Sequence, residues 1–155
     1  MTPFRITGLP GEQFLALAGL PDAELAARGI RRYVADAKPG YPCRVTLADA
    51  EPGERVLLLS HTHQPADGPY QASGPIFVRE GAAGTEVLGH VPDYLRTRLL
   101  SVRAYDGDDL ITDAEVVPGT ELESLLERFL ADSRTAYVHI HFARRGCYAA
   151  RVDRA

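Results

Sequence analysis

Four of the five histidines in this chain stand in two pairs of the same form, His61-Thr62-His63 and His139-Ile140-His141. In an extended strand, alternate side chains share a face, so each pair can present two imidazoles side by side. Imidazole suits zinc, copper, iron or nickel, and a thiolate can join such a site. Cys43 and Cys147 are the candidate sulfur ligands, while Arg44 and Arg151 offer guanidiniums that suit an anionic small molecule. The expected site is a sheet face that carries His61, His63, His139, His141, Cys147 and Arg151, with Cys43 and Arg44 as further candidates. Three nitrogen ligands with one coordination position left open is the usual form of a catalytic metal site. The familiar zinc spacings, Cys-x-x-Cys and His-Glu-x-x-His, are absent, so this reading requires the two pairs to converge in space.

Other chemistries have less behind them. A thiol at Cys147 beside His141 can be activated by proton transfer, although no orienting carboxylate is identifiable. Cys43, between Pro42 and Arg44, reads as a structural thiol. Ser60 is adjacent to His61, which sends the two side chains to opposite faces, and no Gly-x-Ser-x-Gly elbow is present. Gly8-Leu9-Pro10-Gly11 lacks the Lys-Ser/Thr of a phosphate loop. Asp106, Asp108 and Asp109 lack the later glycine and closing Glu of a calcium loop, and Asp106-Gly107 reads instead as a hairpin turn.

The elements that must position these groups are legible from periodicity. Strands are expected over 4–9, 30–36, 43–47, 55–61, 75–80, 85–88, 99–105, 110–117, 137–143 and 147–153. Short helices are expected over 12–18, 23–28 and 92–98. The clearest helix runs over about 120–131: Leu122, Leu125, Leu126, Phe129 and Leu130 follow the spacing of one apolar face, and Thr120 with Glu123 has the form of a capping box. Arg55 to His61 is an apolar run expected to be buried on both faces. A long loop over 64–74, rich in Pro, Gly and Ser, can fold over the histidine face and close a pocket. In the last hairpin, Gly146 suits the left-handed position of a three-residue turn. That register sets His139 opposite Arg151 and His141 opposite Ala149. Val138, Ile140, Phe142, Tyr148, Ala150 and Val152 then fall on one side, and the histidines and Cys147 on the other.

Composition bounds the function classes. The chain has 155 residues, 45% of them hydrophobic and 25% charged, which is ordinary for one domain spanning 1–155. A net charge of −4 gives no attraction to nucleic acid or to an anionic membrane. No apolar run approaches a membrane span and no secretory signal is visible, so a cytoplasmic protein with reduced thiols is expected. All basic residues but Lys38 are arginine, which reflects codon usage more simply than binding.

Gly40-Tyr41-Pro42-Cys43-Arg44, Gly74-Pro75-Ile76-Phe77-Val78 and the stretch His141-Phe142-Ala143-Arg144-Arg145-Gly146-Cys147 together resemble a family of short bacterial proteins, domain of unknown function 1203. The resemblance covers nearly the whole chain. It implies a single bacterial domain and brings no activity, substrate or cofactor with it, and it draws attention to Cys43, His141 and Cys147.

The expected architecture is α+β: a mainly antiparallel sheet with the 120–131 helix packed on one face and the short N-terminal helices at an edge. The expected core draws on Val56, Leu58, Phe77, Leu122, Leu125, Leu126, Phe129, Val138, Ile140 and Phe142. Two functions are expected from different classes. One is the binding of a small molecule or a transition metal such as zinc through the His/Cys/Arg face, with or without catalysis. The other is a non-catalytic interaction or structural domain, such as a homodimer.

Overall fold

The computed structural model describes residues 2–155 and is α+β, with its strands in two sheets rather than the one expected. The chain runs through β1 (Phe4–Thr7), a 3-10 segment (Gly11–Leu17), α1 (Asp22–Ala27), β2 (Arg31–Val34), β3 (Pro42–Cys43) and β4 (Ala48–Asp49). It continues through β5 (Arg55–Gln64), β6 (Ala72–Arg79), β7 (Val87–Leu88), α2 (Asp93–Arg96), β8 (Leu99–Tyr105) and β9 (Ile111–Pro118). A 3-10 turn (Gly119–Glu121), α3 (Leu122–Ala131), β10 (Tyr137–Phe142) and β11 (Tyr148–Arg154) complete it. One sheet has the order β7-β1-β11-β10-β8-β9 and the other β2-β5-β6-β3-β4. All pairings are antiparallel except β3 with β6. Apolar periodicity reports which face of a strand is buried, but not which strand lies beside it, and so one sheet and two look alike in sequence. Among the described residues, no helix is long and apolar enough to cross a membrane.

Period-two patterning builds the six-stranded sheet. Leu100, Val102 and Ala104 of β8 align with Val138, Ile140 and Phe142 of β10 and with Ala150 and Val152 of β11. These side chains pack in one cluster with Leu122, Leu125, Leu126, Phe129 and Leu130, the expected apolar face of α3. Burying Phe129 there is worth roughly 3–5 kcal/mol against alanine. The alternate residues of the same strands, Arg103, Tyr105, Tyr137, His139 and His141, are left for the opposite face.

The helix starts differently from expectation. Thr120 lies inside a 3-10 turn, the helix begins at Leu122, and no side chain caps it. Glu123 pairs with Arg96 instead of closing a capping box. The cause is Gly119, whose N–H donates to the Arg98 carbonyl at 2.8 Å. A Cβ at this position would lie 1.9 Å from the Leu95 carbonyl oxygen and 2.6 Å from Arg96 Cα. This close approach of backbone to α2 tightens the chain before the helix can start. Gly119→Ala is expected to cost about 3 kcal/mol or more, because backbone must shift to admit the methyl group; urea unfolding of the variant would measure it.

In the five-stranded sheet, Leu57, Leu59, Ile76 and Val78 pack with Phe14 and Leu25. The N-terminal helices therefore cover a face of this sheet rather than an edge. Val56 is buried on the other side of β5 with Ala35 and Ala50, but Leu58 and Phe77, both expected in the core, are only half-buried. The expected strand over 43–47 is broken. Leu47 N–H bonds the Cys43 carbonyl at 3.0 Å and Leu47 takes a φ of 55°. Burial of Arg44, Val45 and Leu47 in this turn outweighs the β preference of Val45 and Thr46. The loop expected over 64–74 is shorter and spans 65–71, because β5 runs to Gln64 and β6 starts at Ala72.

Candidate metal centre

The histidine face is set by β10 and its two neighbours. His139 stands opposite Arg103 of β8 and Arg151 of β11, and His141 stands opposite Ser101. The β10–β11 register slips between Ile140 and His141, which sets His141 against Tyr148 rather than Ala149. The turn causes this slip. Phe142 N–H bonds the Cys147 carbonyl at 2.9 Å, and Gly146 N–H, at a residue with φ of 79°, bonds the Phe142 carbonyl at 2.8 Å. Phe142 therefore faces Cys147, and the extra residue is absorbed as a bulge at Ala149, whose methyl group joins the core. Tyr148, expected on the apolar side, turns its ring toward His139 and His141.

The second sheet contributes His63. A register shift in β5 between His61 and Gln64 separates the fates of the first pair. His61 turns its ring toward Phe14, whereas His63 meets His141 edge-on at 4.9 Å and stacks on Tyr148 at 5.4 Å. Gln64, buried behind it, donates to the Tyr137 hydroxyl at 3.0 Å and ties the end of β5 to the six-stranded sheet. Tyr70 in the 65–71 loop leans edge-on against Tyr105, which in turn touches His139. The result is a three-histidine cluster, His63, His139 and His141, with one ligand nitrogen of each within 4.8 Å of the others.

Electrostatics keep these rings uncharged. Burial is the main cause, aided by Arg103, Arg151 and the neighbouring imidazoles; it lowers His139 to about 3 and His141 to about 4 from the usual 6.5. His63 and His61 are lowered in the same direction, again chiefly by burial. Neutral imidazole is the form that binds metals. The tautomer of His141 follows from its partners: a carbonyl can only accept, so Nδ1–H donates to the Gly146 carbonyl at 3.0 Å, and Nε2 carries the lone pair. A backbone carbonyl in this role orients a metal-binding histidine and raises its basicity. Nδ1 of His63 and Nδ1 of His139 are buried without any hydrogen-bond partner. Such orphaned atoms are uncommon in folded proteins, and coordination of a cation would satisfy a lone pair there. A tetrahedral ion with bonds of about 2.1 Å needs nitrogens about 3.4 Å apart, so a spread of up to 4.8 Å would have to contract to hold one.

The other sequence candidates lie elsewhere. Cys147 is not on the histidine face. The shifted register places it toward the core, where its Sγ accepts from Arg44 Nη2 at 3.1 Å. Proton transfer from Cys147 to His141 therefore has no geometric basis. Arg44 is no member of the cluster either: it is buried beneath the turn and donates to the Tyr148 and Pro42 carbonyls. Cys43 is buried, and its Sγ accepts the Arg79 N–H. Arg151 borders the site, stacked over Tyr137 at 4.3 Å and paired with Asp153.

The family model described as protein of unknown function (DUF1203) matches residues 40–154. This chain belongs to that family. No curated protein and no solved structure matches it. The span matched to the DUF1203 family holds all three clustered histidines, Arg44 and Cys147. Arg103, whose Nη1 reaches His141 Nε2 at 3.3 Å, was not among the sequence candidates, and Tyr148 was expected on the opposite, apolar side. The period-two placement of Arg103 on β8 was a usable signal; its pairing with β10 was not.

Proposed function

We propose that this protein binds one transition-metal ion through His63, His139 and His141, and that an anionic ligand is held beside the ion by Arg103. The observation that supports it most is the convergence of three imidazoles from two different sheets, two buried and one half-buried, two of them with an orphaned ring nitrogen. Three nitrogens leave at least one coordination position for water or substrate, the form taken by catalytic zinc sites. Such an ion would polarise a bound oxygen and make hydroxide available near neutral pH. Arg103 donates to His141 Nε2 at 3.3 Å, the atom a metal would take, and so it must swing away on binding. Released from that atom, its guanidinium would be free to donate to an anionic ligand beside the cluster. Calorimetric titration of untagged protein with zinc tests the proposal. A single site of micromolar or tighter affinity is expected, and no saturable binding of zinc, copper or nickel contradicts it.

Arg103→Met separates the two roles given to the guanidinium. Loss of a charged hydrogen bond on Nε2 is expected to tighten binding of the bare ion on the order of 10-fold. The same variant is expected to lose the additional affinity for an anion on the metal, read by displacement with azide or acetate. The Arg103 contact also favours a second reading, an anion site without metal in which the guanidinium and the imidazoles act as donors. Anion binding that persists in chelator-treated protein would support this second reading. The mild net charge argues against nucleic acid as the partner of either site.

A further inference from the structure

On the far side of the β10–β11 turn from the histidines, a cavity of about 600 Å³ opens between the two sheets. We propose that it binds a small aromatic anion, a planar ring bearing a carboxylate or a phosphate. Its size falls within the range of small-molecule sites. One wall is apolar and aromatic. Leu58 and Phe77, paired across β5 and β6, stay half-buried in the middle of the sheet, and Phe77 meets the rings of Tyr33 and Tyr41 edge-on at 6.1 and 5.3 Å. This patch gives a planar ring a floor and two edges.

The opposite wall is cationic: Arg44, Arg98, Arg144 and Arg145 line it, and no carboxylate does. Arg98 is neutralised from behind by Asp49 at 2.6 Å. Among the described residues, Arg44, Arg144 and Arg145 take part in no ion pair. Arg44 is the decisive one, being only 1% exposed. Its donors go to two carbonyls and the Cys147 sulfur, and Phe142 lies 5.1 Å from its guanidinium carbon. These partners supply dipoles and a π face but no opposite charge. A buried cation without a counter-ion is costly, and an anion in the adjoining cavity removes that cost. Arg144 and Arg145 stand exposed on the turn at the rim, placed to draw in and close on the charged end of a ligand. The site shares no lining residue with the histidine cluster, so the two proposals stand or fall separately.

The test uses four probes against the intact chain, followed by calorimetry: benzoate, phenyl phosphate, benzyl alcohol as the neutral counterpart, and inorganic phosphate as the bare anion. At least one aryl anion is expected to bind with 1:1 stoichiometry, more tightly than benzyl alcohol and inorganic phosphate by about 10-fold or more. Which aryl anion binds better identifies the charged group. The double variant R144Q/R145Q changes only exposed turn residues and is expected to weaken the binding at least about 10-fold. Occupancy should also slow alkylation of Cys147 by iodoacetamide several-fold, read by peptide mass spectrometry, because Cys147 lines the same cavity. The proposal is overturned if neither aryl anion saturates below about 10 mM. It is overturned equally if benzyl alcohol binds as well as the anions, if inorganic phosphate matches phenyl phosphate, or if R144Q/R145Q binds like the parent chain.

Discussion

His141→Ala is expected to weaken transition-metal binding by at least about 100-fold, because removing even an outer partner of a metal ligand commonly costs 10- to 100-fold. His141 has its lone pair fixed on Nε2 by the Gly146 carbonyl, and it is the ring closest to His63 in the cluster. His139→Ala should have an effect of similar size. His61→Ala and Cys147→Ser should leave affinity unchanged within about 2-fold, since the first ring turns to Phe14 and the second side chain lies beside Arg44. This pattern discriminates. A site built from the two complete His-x-His pairs would lose affinity in His61→Ala, and a His/Cys site would lose it in Cys147→Ser. Competitive titration against a chromophoric zinc chelator gives all four values.

The second large effect is acid lability of the metal-free protein. His139 and His141 are held down to about 3 and about 4 in the folded chain, chiefly by burial, whereas both return to about 6.5 when unfolded. Below pH 6.5 the unfolded chain takes up protons that the folded chain refuses, so acid favours unfolding. The stability these rings contribute is complete above pH 6.5 and is lost progressively as pH falls toward the folded values. At about 1.4 kcal/mol per unit, the two rings together lose on the order of 3–6 kcal/mol between pH 7 and pH 4. For a chain of this size that corresponds to a fall of roughly 10–20 °C in melting temperature. The carboxylates act in the same direction: Glu80, held low by Arg32, also loses its stabilising contribution in acid. Replacing both histidines by glutamine separates the contributions. The H139Q/H141Q variant should show a markedly flatter melting profile between pH 7 and pH 4 than the parent chain. Superimposable profiles would mean that these rings are protonated in the folded state.

Much of this fold was legible because burial imposes periodicity. The apolar face of α3, the alternation along β8 and β10 and the placement of Ala150 and Val152 of β11 emerged as expected, and with them the facing of His139 and Arg151. Two of the misses depended on contacts between distant segments, and others on single-residue irregularities within strand pairs. Gly119 fits against Leu95, which replaces the Thr120 cap with a tighter turn. Arg44 is buried under the β10–β11 turn, and the strand expected around it folds back on itself. A single bulged residue, Ala149, exchanges the faces of Tyr148 and its neighbour and sends Cys147 away from the histidines. A one-residue slip has this power because side chains alternate with period two. The site was half legible for the same reason. The pair His139 and His141 follows from alternation alone, while His63 without His61 depends on a second irregularity in β5.

In the proposed site His63, His139 and His141 together hold one ion. Anomalous diffraction from crystals soaked in zinc, recorded on both sides of the zinc absorption edge, tests it most directly. The expected result is one strong peak about 2.1 Å from a nitrogen of each of the three rings, with Nε2 the donor on His141 and Arg103 swung off that atom. A zinc-loaded crystal with no peak among these rings, or with its peak at Cys147 or on surface carboxylates while Arg103 still donates to His141, would contradict it.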